Sequence, residues 1–119
     1  MTTSTCDLTT KNCKPCTGST PALEPPKIDR LLREINGWQQ DGNELVKTYL
    51  FKNYYETIAF VNATAWVSHR EDHHPDLEIG YRQCRVRYST HAIGGLSEND
   101  FICAAKIDAL QAPPGNWCR

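Results

Sequence analysis

The sequence predicts an α+β domain in the order αββαββα, with a four-stranded antiparallel sheet and helices packed on one face. Two pairs of short strands with apolar residues at period two point to the sheet. Three segments with helical spacing or helix-start signals point to the helices, and the strands come in runs, without the βαβ alternation of a parallel sheet. The 119 residues are enough for one compact domain with its own core. We expect an N-terminal arm over residues 1–24, flexible and rich in Thr and Pro, a globular domain over 25–112 and a tail over 113–119.

The first helix follows Pro25 and Pro26, which suit a helix start, and carries Ile28, Leu31, Leu32 and Ile35 on one face before Asn36-Gly37 closes it. Trp38 to Gln40, an Asp41-Gly42-Asn43 turn and Glu44 to Phe51 form a hairpin, because glycine supplies the positive φ a tight turn needs. Asn53 and Glu56 form a capping box for the second helix, which runs to about Glu71. Its apolar residues, among them Ile58, Phe60, Val61, Trp66 and Val67, cover more than one face and predict burial on two sides, one of them a subunit interface. Pro75 disfavours helical geometry at His74, so the chain turns there. Leu77, Ile79 and Tyr81, then Cys84, Val86 and Tyr88, alternate as two more strands. Extending that parity puts His91 on the open sheet face with Arg85 and Arg87. Ser97 to Asp100 opens the third helix, with Cys103, Ile107 and Leu110, and Pro113-Pro114-Gly115 ends it.

Thirteen basic and fourteen acidic residues leave a net charge of −1, which argues against a nucleic-acid or membrane surface. No apolar stretch approaches the roughly 18 residues of a membrane span, and Met1 to Thr10 lacks signal-peptide character, so a cytoplasmic location is expected. Of six cysteines, Cys84 and Cys103 sit in apolar patterns and read as small buried hydrophobes. Cys13-Lys-Pro-Cys16 admits three readings: structural, a metal knuckle with Cys6, or redox. The βαβ context of a thioredoxin site and a fourth zinc ligand are both lacking.

His69, His73 and His74 crowd the end of the second helix. His69 and His73 are four apart, the spacing of a two-histidine metal motif to which His74 or Asp72 would add a ligand, but Arg70 replaces the glutamate of the zincin pattern. The acid–base reading uses His73, His74 and His91, since imidazole exchanges protons near neutral pH, with Asp72 or Asp100 orienting a ring. His73 and His74 also suit a helix C-terminus simply as cations, and Asp100 suits a helix start as a cap.

Taken together, "EDHHPDLEIGY" and "RVRYSTHAIGGLSENDF" resemble the pterin-4a-carbinolamine dehydratase family. The matching positions are His73-His74-Pro75, Tyr81, Ser89-Thr90-His91 and Asp100. The resemblance spans roughly residues 25–111, including Gly37-Trp38 and the "AFVNATAW" helix. It implies dehydration of a 4a-hydroxytetrahydropterin to quinonoid dihydropterin, recycling the pterin of an aromatic amino acid hydroxylase, with no metal or redox cofactor. His73 and His91 would then be the acid and base, with His74 holding and polarising the pterin and Asp100 a further catalytic residue. Asp72, Ser89 and Thr90 would line the site and Trp38 would form an aromatic wall. Departures from the family pattern are His69, where an acidic residue is usual, Leu77 in place of an aromatic, and Ala92 in place of glutamate. Family members also act as non-catalytic binding modules, so a dimerisation cofactor or coactivator is the alternative. A homodimer or homotetramer is expected on either reading.

Overall fold

The computed structural model describes residues 5–111. The tail over 113–119, Cys118 and the Pro113-Pro114-Gly115 helix stop lie outside the described residues, as does the side chain of Cys6. Four helices and four strands follow in the order α1 (Thr5–Thr10), α2 (Pro25–Leu32), β1 (Gln39–Asp41), β2 (Glu44–Leu50), α3 (Tyr54–Glu71), β3 (Asp76–Ile79), β4 (Gln83–Tyr88) and α4 (Glu98–Ala109). From α2 onward this is the predicted αββαββα order.

The sheet order is β1-β2-β4-β3, all antiparallel. Its two hairpins meet through β2 and β4. Gly42, at φ +61°, makes the two-residue turn between Asp41 and Glu44. Directly paired residues share a face, so Leu45, Tyr49, Cys84, Val86 and Tyr88 form one buried layer. The opposite face is polar. There Arg87 donates to Glu78 through Nε at 2.8 Å and lies 3.3 and 3.4 Å from Asp41 and Glu44 through Nη1, while Arg85 donates to Thr48.

On the buried layer sits α4, which packs against both α1 and α3. That central position explains why Phe101, Cys103, Ala104, Ala105 and Ile107 are all fully buried. Its N-terminus is closed by a Ser97–Asp100 capping box. Near its C-terminus, Asp108 accepts from Trp38 Nε1 at 3.0 Å, Lys47 Nζ at 2.8 Å and the Tyr49 hydroxyl. These bonds tie α4 to the first hairpin. Burial and then the Asp108 charge push the Tyr49 hydroxyl above the ordinary tyrosine range.

The structure departs from the sequence reading in the arm, at the end of α2 and at the end of β4. The expected arm contains a helix, α1, whose Leu8 is fully buried, and Leu23 N donates to Leu96 O at 2.9 Å, so the segment packs on the body of the domain. A single buried leucine amid threonines carries no periodic signal. Helix α2 stops at Leu32. The chain tightens through i→i−3 bonds from Glu34 and Ile35, so Ile35 is buried from a turn instead of from the helix. Within this one chain helix α3 buries one stripe, Thr57, Phe60, Thr64 and Ser68, and its other side, with Trp66 60 % exposed, is the face the sequence assigns to a subunit interface. Finally, β4 ends at Tyr88, Thr90 bridges to Gly95, and His91 starts a 3₁₀ turn instead of continuing the strand. His91 is therefore not on the Arg85–Arg87 face by strand parity.

Candidate active site

Helix α3 ends in a sharp reversal. Asp72 takes the left-handed conformation (φ 50°, ψ 43°), and both its N–H and that of His73 return to Ser68 O. Aspartate tolerates this geometry better than most residues, because its short polar side chain can bond locally. Pro75 then prevents any helical continuation. The reversal carries His73 inward, its side chain 12 % exposed, and leaves His74 exposed.

Inside, His73 Nε2 lies 2.6 Å from Oδ1 of Asp100, which is fully buried. The other carboxylate oxygen accepts from Ser97 N at 2.9 Å and from the Thr90 hydroxyl at 2.8 Å. Thr90 and Ser97 share a further bond at 2.7 Å. Asp100 thus caps α4 and orients His73 at once, one oxygen for each task. A carboxylate only accepts, so Nε2 carries the proton and Nδ1 is the ring nitrogen left free of Asp100. The imidazole stacks on Tyr88, with ring centroids 5.7 Å apart and planes 6° from parallel, which fixes its tilt as well as its direction.

Around this pair is an open cavity of about 410 Å³ lined by Asp72, His73, His74, Ser89, Thr90 and His91, together with Glu71, Ala92 and Asn99. Its size suits a small flat ligand. The 3₁₀ turn, closed by Gly94 at φ +63°, presents exposed His91 at the rim. Three imidazoles, one of them anchored by a buried carboxylate, can donate and take protons on one ligand.

Seven of the eight expected site residues meet at or directly behind this cavity. Trp38 does not. It is 5 % exposed, packs on Tyr49 and Tyr88 and donates to Asp108, so it is a core residue and not a ligand wall. His69 lies on the exposed side of α3 near Trp66 and does not join His73 and His74 at the cavity. Among the described residues no three His, Cys, Asp or Glu side chains form a metal-binding group. Tyr81 is exposed and stacks on Tyr54.

The sequence reading does not single out Glu71, Ala92 and Asn99 of the lining as site residues, nor several further contributors. Tyr88, in sequence only a core strand residue, carries the His73 ring. Lys14, Pro15 and Cys16 of the N-terminal segment also line the cavity. The Cys-x-x-Cys spacing had marked that segment, but Cys13 faces Cys103, Sγ to Sγ 3.5 Å, and Cys16 donates to Lys14 O. The Cys103 contact, then burial, then the nearby Cys103 and Glu71 charges push the Cys13 thiol far above the ordinary range. It is held as a thiol, not as a reactive thiolate.

Comparison with known proteins gives the family and the fold. The family model described as pterin 4 alpha carbinolamine dehydratase matches residues 21–110. A provisionally named pterin-4-alpha-carbinolamine dehydratase of Nitrosospira multiformis is 61% identical over 110 residues, 92% of this chain and 97% of its own. A like-named protein of Nitrosomonas europaea is 62% identical over 109 residues, 91% of this chain and 96% of its own. In structure, a transcriptional coactivator/pterin dehydratase from Brucella melitensis superposes with a TM-score of 0.74 at 26% identity, over 76% of this chain and 99% of that one. A pterin dehydratase-like protein described as a RuBisCO assembly factor in the alpha-carboxysome gives 0.53 at 28%, over 61% and 84%. Among the described residues no helix is long and apolar enough to cross a membrane.

Proposed function

Because the chain belongs to the pterin-4-alpha-carbinolamine dehydratase family, we propose that it dehydrates a 4a-hydroxytetrahydropterin to quinonoid dihydropterin by histidine acid–base catalysis. The observation that carries this reading is His73 held 2.6 Å from the buried Asp100 carboxylate, at a cavity that also holds His74 and His91. In the reaction the C4a–O bond breaks, the departing hydroxyl takes a proton and leaves as water, and ring nitrogen N5 gives up a proton as its lone pair forms the new double bond. One imidazole supplies the first proton and another accepts the second. His73 and His91 are the pair assigned to these steps, and Asp100 holds the His73 ring and stabilises its charged form. His74 holds the pterin, and Ser89 and Asp72 border it.

The direct test is to generate the 4a-hydroxytetrahydropterin chemically or with an aromatic amino acid hydroxylase and follow its decay. The protein should accelerate dehydration, and an unchanged rate would remove the reading. A hydroxylase that makes this unstable product is the enzyme the protein would serve.

A second reading is a protein-binding module. It draws on the names of the two structural neighbours, a transcriptional coactivator and an assembly factor, and on Tyr54, Tyr55 and Trp66, which α3 leaves exposed. A pure binding role should survive loss of the histidines, and an enzymatic one should not.

A further inference from the structure

Resting on the dehydratase reading, we infer that Lys14, Pro15 and Cys16 form a wall of the pterin site and select pterins by the substituent at C6. The segment lies before residue 21, where the family match begins. All three residues nevertheless line the histidine cavity. With Asn99 they also line a second, adjoining cavity of about 550 Å³, whose apolar side is Pro21, Leu23 and Ile102. The segment therefore stands where the two spaces meet.

Ligand chemistry makes that position matter. The reacting atoms C4a and N5 must lie at His73 and His91, and C6 is bonded directly to N5. A C6 substituent therefore begins one bond from the proton-transfer site and runs along whatever wall stands beside the histidines. On the side of the second cavity, that wall is this segment. The Lys14 ammonium is a donor on a flexible stem, suited to oxygen atoms of a hydroxylated substituent. Pro15 offers a rigid apolar face to its carbon chain.

The wall is held by design of the fold and not by chance contact. Asn99 is 8 % exposed and holds the Lys14 backbone in both directions: its Oδ1 accepts from Lys14 N at 3.0 Å, and its Nδ2 donates to Lys14 O at 2.6 Å. One residue earlier, Cys13 N donates to Glu71 Oε1 at 2.7 Å, at the end of α3 beside Asp72. Neighbours on α4 thus divide the work. Asp100 sets the imidazole, and Asn99 acts as a positioning residue for the wall.

The experiment compares full-length wild type with Lys14→Ala, Asn99→Ala and Asn99→Asp on two 4a-hydroxytetrahydropterins, one with a dihydroxypropyl chain at C6 and one with a methyl group. Binding of the matching stable dihydropterins is measured alongside, and melting temperature controls for folding. Wild type should prefer the dihydroxypropyl substrate. Lys14→Ala, an exposed side chain whose backbone clamp remains, should raise KM for that substrate about tenfold with kcat within about twofold, and raise the methyl substrate's KM much less. Asn99→Ala should do the same, and Asn99→Asp, which keeps the acceptor for Lys14 N, should recover part of the preference. If wild type binds and turns over both pterins and the variants keep its KM values, or lose kcat equally on both substrates, the inference is wrong and the dehydratase reading stands. If wild type neither binds nor dehydrates a pterin, both fall.

Discussion

Replacing Asp100 by Asn separates its two tasks. The variant's amide oxygen can take the place of Oδ2 and keep the bonds from Ser97 N and Thr90, at 2.9 and 2.8 Å. Its amide nitrogen then faces His73 Nε2 at the 2.6 Å position, where two donors oppose each other. The imidazole must move its proton to Nδ1 to relieve this, which reverses the roles of its ring nitrogens. One bond to a charged group, worth about 2 kcal/mol, is exchanged for a neutral one. The melting temperature should fall by no more than roughly 8 °C for a domain of this size. Turnover should fall much further, by about a hundredfold or more, because the proton sits on the wrong atom and the charged imidazole has lost its counter-ion. Stopped-flow dehydration, read beside a thermal melt of the same sample, measures both quantities. A folded Asp100→Asn protein with wild-type turnover would refute the orienting role and leave Asp100 as a helix cap.

His73→Ala and His91→Ala should each lower kcat about a hundredfold or more, and His74→Ala should mainly raise KM; a double His73→Ala, His91→Ala variant at the wild-type rate would end the acid–base scheme. Exhaustive chelation should leave the rate unchanged, since a cation would occupy the imidazole lone pairs the mechanism uses, and loss of activity restored by one metal would contradict it. Glu71 is pushed up by burial, but the Cys13 amide and Lys106 outweigh this and hold its carboxyl below the ordinary range. A carboxyl depressed in the folded state stabilises fully above its unfolded pKa, about 4.3, and that contribution is lost as pH falls through the folded value. Glu71→Gln should therefore flatten the decline of melting temperature on acidification below about pH 5, and a decline as steep as wild type would count against the linkage. The exposed aromatic surface of α3 leads us to expect a homodimer or homotetramer, and light scattering that finds only monomer at micromolar concentration would contradict it.

What could be read from the sequence was what local rules govern. The Asp41-Gly42-Asn43 turn and period-two strands located both hairpins, and Pro75 ended α3 within two residues of where it stops. The histidine cluster was visible because His73 and His74 are neighbours and the family signature adds His91 and Asp100. Two of the errors come from contacts made at long range. Cys13 meets Glu71 and Cys103 across 58 and 90 positions, and no periodicity encodes such meetings. Trp38 offered an aromatic ring beside a strand, with no local sign that Asp108, 70 positions away, would draw its indole into the core. Strand parity misplaced His91 because it assumes a continuing strand, whereas the Thr90–Gly95 bridge turns the chain back.

Helix α4 is fastened at both ends by carboxylates, Asp100 to the histidine and Asp108 to the first hairpin. The two fastenings stand about 12 Å apart along the axis, and each added residue turns the helix by about 100° and lengthens it by about 1.5 Å. An insertion or deletion of one residue between them would keep one anchor in place and swing the other out of reach of its partners. Substitutions between them answer to volume and, at Cys103 and Lys106, to the contacts with Cys13 and Glu71, but length there admits no change. Drift in chain length among descendants of this sequence should accumulate before Leu8, in the exposed stretch from Thr17 to Ala22 and beyond Leu110, and should be absent from the segment joining the two aspartates.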